Sequence, residues 1–152
     1  MSATEKPDFI LEPAPDHPGW LSWRLSDATR FNRNFADFIV RLDPDGQARV
    51  RMMPEVRHSN LANNVHGGAT LAFIDMALFG AARLFGLVEA GTSVTLDLST
   101  QFIGAGKVDE PMDAVVELLC ETGRLLFLRG MVVQGEHKVA AFAATLRKPS
   151  SK

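Results

Sequence analysis

From about Val65 to Phe85 the chain carries its one long helical pattern, and that segment constrains everything around it. Apolar residues recur at Leu71, Ile74, Leu78, Ala81, Ala82 and Phe85, the spacing of one helix face. The alanine-rich content agrees with helix, and Gly86 and Gly91 end it. The rest of the body reads as strands. Phe38 to Leu42 and Ala48 to Met53 flank the turn Asp43-Pro44-Asp45-Gly46 and form a hairpin. Pro54 to Asn64 is a polar loop. Thr92 to Phe102, Met112 to Glu121, Arg124 to Gln134 and Lys138 to Arg147 follow. The last three are joined by the turns Glu121-Thr122-Gly123 and Gly135-Glu136-His137. One long helix against an antiparallel sheet of about five to six strands is an α+β arrangement.

Two features of the helix point to chemistry. At its start, His66-Gly67-Gly68 follows a polar loop. A helix N-terminus offers free backbone N–H groups and a positive dipole end, suitable for a developing oxyanion. Within the helix, Asp75 stands alone among Phe73, Ile74, Met76, Ala77 and Leu78. Burying such an acid is costly unless it is paired or solvated in a site. A structural ion pair to Arg83, two turns on, is the alternative to a chemical role. Glycine at 67 lets a substrate approach the backbone closely.

The spacing Asn60, then six residues on His66-Gly67-Gly68, then Asp75 nine residues after the histidine resembles the hotdog-fold acyl-CoA thioesterases. The similarity is to the phenylacetate-pathway (PaaI-like) branch and covers roughly residues 35–147. Where the family often has glycine three residues before the histidine, this chain has Asn63, a residue that tolerates left-handed backbone angles. The resemblance implies a hotdog fold that hydrolyses an acyl-CoA to the free acid and CoA. Asp75 would act as general base on water or attack directly to give a mixed anhydride, and the Gly67 N–H would donate to the carbonyl oxygen. Asn60 would hold the water or align the carboxylate. His66 would orient the loop or bond the thioester. Thr95 occupies a strand position where relatives carry Ser or Thr near the nucleophile. Asp97, two residues on, is a lesser candidate expected on the same strand face. No cofactor is implied, CoA being part of the substrate.

Distance adds a constraint. Gly67 and Asp75 are eight positions apart, about 12 Å along a continuous helix, so one thioester carbonyl cannot touch both. Either the helix breaks or the site combines Gly67 of one subunit with Asp75 of another. The second is what dimers of this family do, which implies self-association, as a dimer and as a tetramer. Two other functions compete. One is a hotdog dehydratase or hydratase, whose Asp-x-Asn-x-x-His pattern is missing. The other is a non-catalytic acyl-CoA-binding protein.

The chain has 152 residues, 46% hydrophobic and 22% charged, enough for one domain with a sizeable core. A net charge of −2 argues against a nucleic-acid surface. Four histidines without His-x-x-x-His spacing, and one cysteine, argue against a metal site. Cys120, in the run Val-Val-Glu-Leu-Leu-Cys, is expected as a buried thiol. With no apolar leader and no run of about 18 apolar residues, a cytoplasmic enzyme away from the membrane is expected. Residues 1–34 read as a proline-rich extended arm with a tryptophan anchor, 35–148 as the thioesterase domain and 149–152 as a polar tail. Trp20 and Trp23 either fasten the arm or border an acyl pocket. His58 and Asn64 are expected as solvated loop residues, and His17 and His137 as exposed. Arg124, Arg129, Lys138, Arg147 and Lys148 are candidates for CoA phosphates, none of them singled out.

Overall fold

Among the described residues, eight antiparallel strands form one sheet in the order β1-β2-β3-β4-β6-β7-β8-β5. The strands are β1 (Phe9–Pro13), β2 (Leu21–Leu25), β3 (Phe38–Leu42), β4 (Ala48–Met52), β5 (Val94–Phe102), β6 (Met112–Glu121), β7 (Leu125–Gln134) and β8 (His137–Arg147). The α-helix α1 (Gly67–Leu84) lies between β4 and β5 in the chain and packs across the sheet. This computed structural model describes residues 8–88 and 93–149. Pro7, Gly91, the expected strand start at Thr92 and positions 150–152 of the expected tail lie outside the described residues.

The strand count exceeds the expected five to six because the proline-rich arm supplies two more. Leu11 pairs with Trp23, and Leu21 of the same hairpin pairs with Val40 of β3. Three prolines in Pro13–Pro18 argue locally against strand. Pro13 closes β1, however, and β1 is an edge strand, where a missing N–H costs no ladder bond.

Alternation sorts the sheet into two faces. Val40, Val50, Met112, Val116, Leu128 and Leu146 are buried toward the helix, and Phe73, Ile74 and Leu78 of α1 meet them fully buried. Each of these three side chains contributes about 1.5–3 kcal/mol by leaving water. By length and apolarity α1 also passes as a membrane-spanning helix, which the expectation from sequence did not anticipate. Half of it is buried inside the protein, as a core helix requires.

Both tryptophans are covered within the chain. Trp23 stacks on Phe9 at 4.7 Å and on Phe38 at 6.0 Å. It lies over Gly80, where an added Cβ would meet the indole at 3.3 Å. Trp20 is on the other face, beneath the guanidinium groups of Arg41 at 4.3 Å and Arg51 at 4.7 Å. Those arginines belong to a ladder. Asp113, 5% exposed, accepts from Arg51 at 2.6 and 2.8 Å and from Arg49 at 2.9 Å. Asp43 accepts from Arg49 at 2.8 Å and Arg41 at 2.9 Å. Burial pushes the Asp43 carboxyl up, but the Arg49 and Arg41 hydrogen bonds outweigh it and hold it below its ordinary value.

The register shifts at three places among the described strands, and two of these shifts overturn an expectation. Between Leu118 and Cys120 the register of β6 slips. Cys120 therefore pairs with Phe127 and turns to the outer face, and the thiol is exposed rather than buried. Between Thr95 and Asp97 the register of β5 slips likewise. Thr95 lies opposite buried Leu146, whereas Asp97 lies opposite Thr145 and is exposed. An extra residue in one strand inverts the side-chain phase beyond it, so Thr95 and Asp97 do not share a face.

Gly130 of β7 offers a stability test. A Cβ there would approach Val115 O to 2.2 Å and Phe142 Cζ to 2.5 Å, and a backbone carbonyl has little room to yield. Gly130→Ala is expected to lower stability by about 1–3 kcal/mol, the usual cost of overpacking, read as the midpoint of denaturant unfolding. An unchanged midpoint would contradict the packing of Phe142 over Gly130.

Candidate active site

The loop from His58 to His66 folds back on itself. His66 N–H donates to His58 O at 2.8 Å, and Asn60 N–H donates to Asn64 O at 2.8 Å. Asn63 turns the tip with φ 58°, the left-handed conformation expected of a residue replacing glycine. The Asn60 carboxamide oxygen accepts from the Ala62 and Asn64 N–H groups at 2.9 and 3.1 Å. Asn60 thus shapes this loop itself, and its Nδ2 makes no bond among the described residues.

His66 is the N-cap of α1, and its Nδ1 accepts from the Gly68 N–H at 2.9 Å. With Nδ1 accepting, the neutral ring carries its proton on Nε2, at an exposed edge. Gly67 is the first helical residue, and its N–H takes no partner among the described residues. The ring of Phe102 covers it. An added Cβ at Gly67 would be 3.4 Å from Phe102 Cζ.

Asp75 is half-buried and accepts a hydrogen bond at Oδ1 from the Thr95 hydroxyl at 2.7 Å. No ion pair to Arg83 forms among the described residues. The helix runs unbroken through Gly67 and Asp75, so their separation along it is about 12 Å at the usual rise. The two ends of β5 match the two ends of this span, with Phe102 at Gly67 and Thr95 at Asp75.

The structure places the expected residues at two levels along α1. His66 and Gly67 stand together at the helix start, with Asn60 bonded within the loop before it, and Asp75 and Thr95 meet further along. Asp97 joins neither group. His58, expected in solvent, is 6% exposed and anchors the loop. Of the basic candidates, Arg129 pairs with Glu117 and Lys148 with Glu121. Arg124, Lys138 and Arg147 form no ion pair among the described residues. Phe102 was missed from sequence. Counting alternation onward from the bulge, with Leu98 and Thr100, was the signal that would have turned it toward the helix.

Residues 62–141, over half of the chain, match the Thioesterase superfamily, and the chain belongs to that family. No significant match is found among curated proteins. Solved structures identify the fold further. An asparagine-to-aspartate mutant of the phenylacetic acid degradation protein PaaI from Thermus thermophilus is 23% identical, with a TM-score of 0.65 over 78% of this chain and 98% of that one. The TT0310 protein of the same organism is 25% identical, with a TM-score of 0.63 over 78% and 97%. A hypothetical thioesterase from Streptococcus pneumoniae, solved with coenzyme A, is 21% identical, with a TM-score of 0.62 over 72% and 86%. The fold is the hotdog fold of the PaaI-like thioesterases.

Proposed function

We propose that this protein hydrolyses acyl-CoA thioesters, with Asp75 as the general base on water and the Gly67 N–H as the oxyanion donor. The hydrogen bond from Thr95 to Asp75 Oδ1 carries the reading. It fixes the carboxylate and leaves Oδ2 to take a proton from water as that water attacks the carbonyl carbon. Negative charge then collects on the carbonyl oxygen, and a backbone N–H at that point is worth about 3–4 kcal/mol in the transition state. His66 Nε2–H and Asn60 Nδ2, both without a partner among the described residues, would serve as further donors. Collapse of the tetrahedral species expels the CoA thiolate.

The 12 Å gap is closed by a second copy. β5 is an edge strand of nine residues, with Val94, Leu96 and Phe102 exposed, an open template for pairing. A two-fold axis near Leu98 and Ser99 would join two such edges antiparallel. The Phe102 end of one copy then meets the Thr95 end of the other, and Gly67 of one faces Asp75 of its partner. Two composite sites per dimer result.

Release of free thiol from a panel of acyl-CoAs tests the reading. Hydrolysis of at least one is expected, and binding without release would favour the non-catalytic acyl-CoA-binding alternative. Thr95→Val keeps the β-branched shape and removes the donor. It is expected to lower kcat about tenfold, the scale of a misaligned base. Wild-type kcat in that variant would remove Thr95 from the site.

A further inference from the structure

His58 makes more contacts than a loop histidine needs. Its Nδ1 accepts from the Glu55 N–H at 2.9 Å. Its Nε2 is 2.7 Å from Asn34 O, and with Nδ1 accepting, that nitrogen carries the proton and donates. Its ring lies flat against Phe35, with centroids 4.9 Å apart and planes within 8°. Asn34 ends the 3-10 turn Phe31–Asn34, which leads into β3, whereas His58 ends a second turn, Val56–His58. The side chain therefore ties together two segments far apart in sequence.

The backbone of the same residue reaches the site. His58 O accepts the His66 N–H at 2.8 Å, and the bridge Ser59↔Val65 lies just inside that bond. His66 is the N-cap, and the next N–H is that of Gly67. The base of the loop is thus held from two sides, by the Val65 N–H donating to Gly106 O at 2.8 Å and by His58 with its ring pinned to Asn34 and Phe35. Solvation of that ring, the ordinary state of a loop histidine, would leave the second side unfastened.

We infer that His58 is a positioning residue for the oxyanion donor, fixing the Gly67 N–H through its carbonyl bond to His66 while Asn34 and Phe35 fix His58. The inference rests on the thioesterase reading for its kinetic consequence but not for its structural one. A donor displaced by a fraction of an ångström stabilises the transition state less while leaving ground-state binding in place.

The test is His58→Phe, which keeps a ring to stack on Phe35 and removes both hydrogen bonds, alongside His58→Gln, which returns an N–H donor toward Asn34 O. Two readouts are taken below the unfolding midpoint of every variant. The first is amide hydrogen exchange at His66, expected to speed up about tenfold or more in His58→Phe as its bond to His58 O loosens, and to slow again in His58→Gln. The second is steady-state kinetics, with kcat expected to fall about tenfold in His58→Phe at nearly constant KM and to recover in part in His58→Gln. A folded His58→Phe with wild-type exchange at His66 and wild-type kcat would overturn the inference. So would a loss of stability with neither readout changed, which is what a merely structural histidine gives. Absence of thiol release by the wild-type protein would sink the thioesterase reading instead, and the exchange measurement would still decide whether His58 holds the loop.

Discussion

Asp75→Asn is expected to fold normally and to hydrolyse acyl-CoA at least about a hundredfold more slowly than wild type, the scale of a lost general base. The asparagine has the same shape, and its carboxamide oxygen still accepts from Thr95, 2.7 Å away in the parent protein. The packing of α1 is therefore undisturbed, and only the ability to take a proton or to attack is lost. The unfolding midpoint and the turnover number together check this. Near-normal turnover in a folded variant would reject Asp75 as base and as nucleophile.

Mixing two dead variants should bring activity back. Gly67→Pro is the suitable partner for Asp75→Asn. Proline at the first helical position is favoured, because its missing N–H serves no helix bond. It requires an extended residue before it, and His66 already has φ −62° and ψ 137°. The variant thus removes the proposed oxyanion donor from an intact helix, at an expected cost of about 10²–10³ in kcat. In a mixed dimer one composite site carries both lesions and the other carries neither. Co-expression is expected to restore up to about half of the wild-type activity per mixed dimer, by the two-fold symmetry of the pair. Verified mixed dimers that stay inactive would place the whole site within one chain.

The helix and the four long strands were legible because apolar residues recur at a regular period along most of each. Gly67 to Leu84 and Met112 to Glu121 agree with the sequence reading within a residue or two. The site was legible in part for the same reason: Gly67 and Asp75 are fixed relative to each other by helical rise alone. Thr95 was placed by family likeness, and its bond to Asp75 depends on how β5 is set against α1, which no local rule supplies. Period counting fails wherever one residue is inserted. At Leu96 and Leu119 such an insertion leaves Asp97 and Cys120, just beyond, facing opposite to expectation. It fails also where long-range cover outweighs local character. His58 is polar and sits in a polar loop, yet Phe35 and Asn34, more than twenty residues earlier, bury it. The β1–β2 hairpin was hidden similarly, since its prolines speak against strand and only β3 and Gly80 give it something to pack on.

The placement of Trp20 and Trp23 has a practical side. The chain has two tryptophans and no tyrosine, so excitation at the red edge, where phenylalanine does not absorb, draws emission from these two rings alone. One faces the arginine ladder on the outside of the sheet and the other faces α1 on the inside. The protein thus carries a native fluorophore on each side of its sheet. With Trp20→Phe in place, the remaining emission reports whether the first hairpin rests on the helix. With Trp23→Phe, it reports whether Arg41 and Arg51 still hold the outer face together.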